Sequence, residues 1–197
     1  MSAVEVKCIG SVKITSGRLA TGDPLCNPDN VFVQHVPIGN HRVLIYLDGH
    51  DIAAATIIVQ EGVPVMRWEE AKFEDGGGFE YGVDAGVGTF VDATVAYTLE
   101  HNDEMSEFII ERMGERQQTH DWKIDESHNA IIFQTGAGDG KYPNYVGYDA
   151  DGNPTLFLTD FYILDTDWRI KYLSGIPLPD YCYEEDEDYE DGNEVED

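Results

Sequence analysis

From Val4 to Phe73 the chain is a series of short runs with alternating apolar residues, cut by turn dipeptides at intervals too close for helices of ordinary length. Val4, Val6 and Cys8 alternate with Glu5 and Lys7, the period of a strand with one covered face, and the pattern carries to Ile14. Ser16-Gly17 and Gly22-Asp23-Pro24 break it. Asn30 to Val36 reads as a strand, Pro37-Ile38-Gly39-Asn40 as a turn, and His41 to Leu47 as the partner strand with Val43, Ile45 and Leu47 on one side. Asp48-Gly49 is a hairpin signal leading into Ile52 to Val59, and Glu61-Gly62 turns the chain again before Val63 to Phe73. The expectation is an antiparallel meander.

The middle of the chain changes character. Asp75 to Gly78 is a loop and Phe79 to Ala85 a short aromatic strand. The string Thr89 to Leu99 fits helix or strand by pattern and is read as helix. Asn102 to Met113 is an amphipathic helix, because Met105, Phe108, Ile109 and Met113 share one face, acids fill the first turn and Gly114 stands at the end. Gln117 to Asn129 is polar and reads as loop, followed by strands at Ala130 to Gln134, Tyr145 to Asp149 and Pro154 to Leu164. The fold class expected is α+β: mainly antiparallel β, as a curved sheet or sandwich, with one or two helices between Gly88 and Gly114. Residues 1–181 are expected to form a single globular domain and 182–197 a disordered acidic tail.

Composition narrows the partners. With 42% hydrophobic and 11% aromatic residues the body has enough apolar side chains to fold. The formal net charge is −27, of which the ten acids and no bases of residues 184–197 carry −10, leaving −17 on the rest. A surface of that sign repels phosphate backbones and anionic membranes, so direct nucleic-acid binding and membrane association are not expected, whereas a basic protein is a fitting partner. Cys8, Cys26 and Cys182 are odd in number, far apart and without C-x-x-C spacing, which reads as free thiols in a reducing compartment. The first residues lack a basic stretch followed by an apolar run, and the chain is expected to be cytoplasmic.

Chemistry is hardest to find. The stretch Gly136 to Pro154 packs glycines, aromatics and carboxylates into a shaped loop. Within it, Asp149-x-Asp151-x-Asn153 has the alternate oxygens of a calcium loop and Asp160 stands at the closing position, but Pro154 takes the place of the required glycine and an apolar strand follows, so a hairpin turn is the reading. Asp84, Asp92, Asp139 and Asp160 form the second candidate set. Asp160 is the most interesting of them, since an acid inside an apolar strand must be paired, hydrogen-bonded or metal-bound. Convergence of these acids would suit a divalent cation; the alternative is that they cap glycine-rich loops as Asx turns do. The six histidines form no H-x-x-H or H-E-x-x-H pattern, and no P-loop or G-x-S-x-G elbow is present. Trp68, Tyr142, Tyr145 and Tyr148 either line a groove for a small ligand or peptide or complete a core.

The ordered set Ser16-Gly17, Asp23-Pro24, Pro37-Ile38-Gly39, Arg67-Trp68-Glu69, Gly82-Val83-Asp84-Ala85-Gly86, Phe90-Val91-Asp92, Gly138-Asp139-Gly140-Lys141-Tyr142-Pro143, Gly147 to Gly152 and Thr159-Asp160-Phe161 resembles the bacterial domain-of-unknown-function family 4241. The resemblance spans residues 16 to about 164. It implies one β-rich domain in an intracellular bacterial or phage setting, and carries no activity. The functional expectation is therefore a non-enzymatic binding or interaction module without cofactor, whose acidic, aromatic-lined surface holds a basic protein or a small ligand. The alternative is a divalent-cation-dependent hydrolase using the clustered aspartates.

Overall fold

The computed structural model describes residues 4–113 and 117–164. In chain order the elements are β1 (Glu5–Ile14), β2 (Arg18–Asp23), β3 (Asn27–His35), β4 (Gly39–Asp48), β5 (Asp51–Ile58), β6 (Arg67–Glu70), β7 (Glu80–Val83), β8 (Val87–Asp92), α1 (Tyr97–Glu100), α2 (Asp103–Arg112), β9 (Thr119–Lys123), β10 (Asn129–Gln134), β11 (Gly140–Tyr148) and β12 (Pro154–Asp160). A seven-stranded sheet runs β1-β4-β5-β12-β11-β6, with β7 also paired to β11, and a five-stranded sheet runs β3-β2-β8-β10-β9. The pairings within both sheets are antiparallel. The protein is thus mainly antiparallel β, in two sheets, with two short helices in mid-chain.

The sheets lie face to face. Val43, Ile57, Val146, Phe157 and Phe161 of the larger sheet form one buried cluster with Leu19, Phe32, Phe90, Ile131 and Phe133 of the smaller. Phe157 is fully buried with its ring centroid 4.5 Å from that of Phe32. Burying a side chain of this size contributes roughly 1.5–3 kcal/mol. Period-two alternation then sends the intervening residues outward: Leu156 and Leu158 join Trp68 and Tyr145 on the far face of the larger sheet, while Val87, Val91, Ala130 and Ile132 on the far face of the smaller sheet are covered by Leu99, Met105 and Ile109 of the helices. In α2, Met105 and Ile109 are buried and the Asn102 side chain accepts the Met105 amide, the N-cap that starts the helix.

Five segments depart from the pattern read in the sequence. Thr89 to Asp92 is strand, not helix: Phe90 points into the inter-sheet core and Val91 to the opposite face, and helix is confined to Tyr97–Glu100 before α2. Gln117 to Asn129 is not all loop, because Thr119–Lys123 is the edge strand of the smaller sheet, polar since one side of it meets water. Arg18–Asp23, between two turn signals, is a buried strand, and β11 begins at Gly140 inside the stretch read as a loop. In Val63 to Phe73 only Arg67–Glu70 is strand. The Asp149 to Asn153 segment is a turn as expected, with the Asp149 carboxylate accepting the amides of Asp151 and Asn153 at 2.9 and 2.8 Å. Gly114, Cys182 and the acidic tail 182–197 lie outside the described residues.

Candidate functional site

The aspartates fall at two ends of the smaller sheet and in its larger neighbour. Strands β2 and β8 pair with Leu19 opposite Asp92 and Gly22 opposite Thr89, so Asp23 and Asp92 are separated by most of a strand length, roughly 15 Å at 3.3 Å per residue. At one end the buried Asp23 accepts the amides of Leu25, Asp84 and Ala85 at 2.9, 2.8 and 2.9 Å, stapling the Gly82-Val83-Asp84-Ala85-Gly86 stretch to the turn after β2. The Gly138-Asp139-Gly140 loop touches this stretch: the Thr135 amide donates to the Gly86 carbonyl at 3.0 Å, and a Cβ placed on Gly86 would lie 3.9 Å from Asp139 Oδ1. Asp84 and Asp139, both exposed, are therefore neighbours.

Cys26 reports their field. Partial burial pushes the thiol up from its ordinary value, and the charges of Asp23, Asp84, Glu100 and Asp139 push it further. Carboxylates from β2, the β7–β8 turn, the end of α1 and the β10–β11 loop thus all act on one exposed cysteine.

Asp92, at the opposite end, is fully buried. Its Oδ2 accepts the amides of Thr15 at 2.6 Å and Ser16 at 2.8 Å, and its Oδ1 accepts the amide and hydroxyl of Thr94 at 2.9 and 2.6 Å. Burial acts to raise its pKa, but the donors from Thr94, Ser16 and Thr15 outweigh it and hold the carboxyl well below the usual range. Asp160 is also fully buried and accepts the Tyr162 amide at 3.1 Å. Its place on β12 has the parity of Leu156 and Leu158, which puts it on the far face of the larger sheet with Trp68 and Tyr145.

The candidate residues therefore do not share one cleft. Asp84 and Asp139 meet; Asp92 stands at the other end of β8; Asp160 belongs to the outer face of the larger sheet. Trp68 and Tyr145 are buried in that outer cluster, whereas Tyr142 is buried on the inner face, where its hydroxyl donates to the Gly138 carbonyl at 2.7 Å and its ring meets Phe161 edge-on at 5.1 Å. Burial pushes the Tyr142 phenol up, and Asp139 adds to the shift. Among the described residues no group of three or more His, Cys, Asp or Glu side chains is disposed to hold a metal ion, and no helix is long and apolar enough to cross a membrane.

One constellation escaped the sequence reading. In the turn between β9 and β10, His128 Nδ1 lies 2.8 Å from Asp125 Oδ2 and 3.0 Å from Oδ1, and its Nε2 lies 2.9 Å from Thr15 Oγ1. Asp125 also accepts the amides of Ser127 at 2.6 Å and His128 at 2.9 Å. The hydrogen bond from His128, reinforced by that of Ser127, holds the Asp125 carboxyl below its ordinary range. An Asp-x-x-His turn is visible in the sequence, but nothing there pairs it with a threonine more than a hundred positions earlier.

A family model described as "Protein of unknown function (DUF4241)" matches residues 12–159. The chain belongs to this family. The DUF4241 match runs from within β1 to the penultimate residue of β12, so it takes in Thr15, Asp23, Asp84, Asp92, Asp125, His128 and Asp139, and ends one position before Asp160. No curated protein and no solved structure matches the chain.

Proposed function

We propose that this protein is a binding module that receives a basic protein partner on the acidic end of its smaller sheet. The observation that carries this reading is the meeting of acidic loops at that end: the Asp84 and Ala85 amides donate to Asp23 at 2.8 and 2.9 Å, a Cβ on Gly86 would stand 3.9 Å from Asp139 Oδ1, and these carboxylates act with Glu100 on the exposed Cys26. Three of them, Asp84, Glu100 and Asp139, are themselves exposed. Exposed like charges held together by the backbone repel one another, and a cationic surface relieves that repulsion while the long-range field speeds its approach. The rest of the chain has the same sign, which adds to steering and keeps nucleic-acid phosphates away. Asp23 serves the site by its hydrogen bonds, fixing where Asp84 stands.

The test uses a fluorescent oligolysine peptide as probe. Anisotropy titrations should give a dissociation constant that rises steeply with salt, and D84N/E100Q/D139N should weaken binding roughly tenfold, about 1.4 kcal/mol. The triple substitution E104Q/E107Q/E111Q on the exposed side of α2 removes the same charge and should weaken it far less. Equal losses in the two triples would mean that net charge alone attracts the peptide, and the acidic end would not be a site. In a variant with Cys8 and Cys182 replaced by serine, D84N/D139N should also speed alkylation of Cys26, because removing negative charge favours the thiolate.

A further inference from the structure

Each sheet has an outer face as well as an inner one, and the two outer faces are covered differently. On the smaller sheet Leu99, Met105 and Ile109 of the helices supply the layer. On the larger sheet the outer cluster is built from Tyr46 of β4, Ala54 of β5, Trp68 of β6, Tyr145 of β11 and Leu156 and Leu158 of β12. None of these six is more than 9% exposed, and Ala54 and Leu158 are fully buried. Side chains on one face of a sheet stand side by side and shield one another laterally, so burial this complete needs a layer above them. Val65 sits against Gly147 of β11, where a Cβ would meet its side chain at 2.7 Å, and the Phe79 ring lies 6.2 Å from that of Tyr145. These two cover the β6–β11 side. Among the described residues both helices pack on the other sheet, and the β4–β5–β12 side has no such layer.

The end of β12 aims the chain at that face. The Asp160 carboxylate accepts the Tyr162 amide at 3.1 Å, and Tyr162 stands at φ 57, a left-handed conformation that turns the chain sharply and that a bulky residue adopts where its surroundings impose it. Phe161 still belongs to the core between the sheets, whereas Leu164 packs against the outer cluster. The chain therefore leaves the described region on the outer face. Residues 165–181 contain Trp168, Ile170, Tyr172, Leu173, Ile176 and Leu178, with three acids against two bases, while residues 184–197 have ten acids and no base. From β4 to β6 there are four strand spacings, about 19 Å at 4.8 Å each. A stretch of seventeen residues reaches about 25 Å as a helix and about 55 Å when extended, so it is long enough in either form.

We propose that the outer face of the larger sheet is an intramolecular docking surface, and that its occupant is residues 165–181 of the same chain. Docking removes the apolar side chains of both partners from water, which is the driving force. The near balance of charge in residues 165–181 lets them lie against an acidic body, where the stretch that follows would be repelled. An open face carrying Tyr46, Trp68, Tyr145, Leu156 and Leu158 would be an apolar patch of the kind that monomeric proteins keep covered.

The experiment is limited trypsin digestion of the full chain, followed by intact mass. Arg169 and Lys171 place two cleavage sites within the segment. Both should be cut roughly 100-fold or more slowly than in a synthetic peptide of residues 165–181, because cleavage must wait for the segment to leave the sheet. Leu158→Ala removes a buried contact from the docking face and should speed both cuts roughly tenfold. Val91→Ala, on the outer face of the smaller sheet, should leave them at the wild-type rate. Melting temperatures report whether each variant is folded, and Trp168→Ala tests the same contact from the segment's side without altering the sheet. Cleavage of the full chain at the free-peptide rate, or equal rates in Leu158→Ala and Val91→Ala, would overturn the proposal. Protection that rises with protein concentration would do the same, since a second copy would then be the cover.

Discussion

Replacing Asp92 tests whether a buried carboxylate organises one end of the sandwich. The side chain is fully buried and accepts three backbone amides, of Thr15, Ser16 and Thr94, together with the Thr94 hydroxyl. Asp92→Asn preserves size but converts one oxygen to an amide donor. The oxygen it keeps must face Thr15 and Ser16, so the new NH2 turns toward Thr94, whose hydroxyl can reverse while its amide cannot. One charge-assisted hydrogen bond is lost and one donor is left opposing another, a cost of about 1.5–3 kcal/mol. Asp92→Ala strands all three amides and should cost roughly 3–5 kcal/mol, a large part of the stability of a typical domain. Urea unfolding followed by tryptophan fluorescence measures both. Because the folded carboxyl sits below its unfolded value of about 3.9, its stabilisation is complete above that value and is lost as pH falls through the folded one. The gap between wild type and Asp92→Asn should therefore hold from neutral pH down to about 5 and narrow below about 4. Coincident unfolding at pH 7, or a gap unchanged at pH 3, would refute the reasoning.

Gly22 lies at φ +149, and a Cβ there would meet the Asn27 carbonyl oxygen at 1.8 Å, so Gly22→Ala must displace the β2–β3 turn that carries Cys26; we expect a fall in melting temperature of roughly 5–15 °C by calorimetry. Magnesium, manganese, calcium and EDTA should leave the melting temperature unchanged. A tight site filled at a hundredfold excess over its dissociation constant would add about 2.7 kcal/mol, so a clear upward shift with any of the three ions would show that the acids gather more closely than this arrangement allows.

The legible parts of the fold are those governed by local pattern. Asp48-Gly49 turns β4 into β5, with Gly49 at φ 64, and the Met105–Ile109 spacing with its Asn102 cap forms the helix it predicts. Resemblance to the unknown-function family, read from the order of glycine-flanked motifs, agrees with the family match over residues 12–159. What escaped the reading lies where tertiary environment outweighs composition. Thr119–Lys123 is polar because it is an edge strand. Thr89 to Asp92 is a strand because β2 and β10 flank it on both sides, a circumstance invisible in its own residues. Of the site residues, Asp84 and Asp139 come together because hydrogen bonds between their loops bring them there, and no spacing announces it.

By itself the sequence determined the class of structure: alternation with a period of two and turn residues every few positions commit the backbone to antiparallel strands, because those are local properties of φ, ψ and side-chain direction. It also determined the sign of the field around the molecule, since charge sums without regard to geometry. Only the tertiary structure decided which face each aspartate occupies, that Trp68 and Tyr145 are buried on the opposite side of a sheet from Tyr142, and that Thr15 meets His128. Those juxtapositions depend on strand order and on sheet-against-sheet packing between residues distant in the chain, and no local rule carries that information.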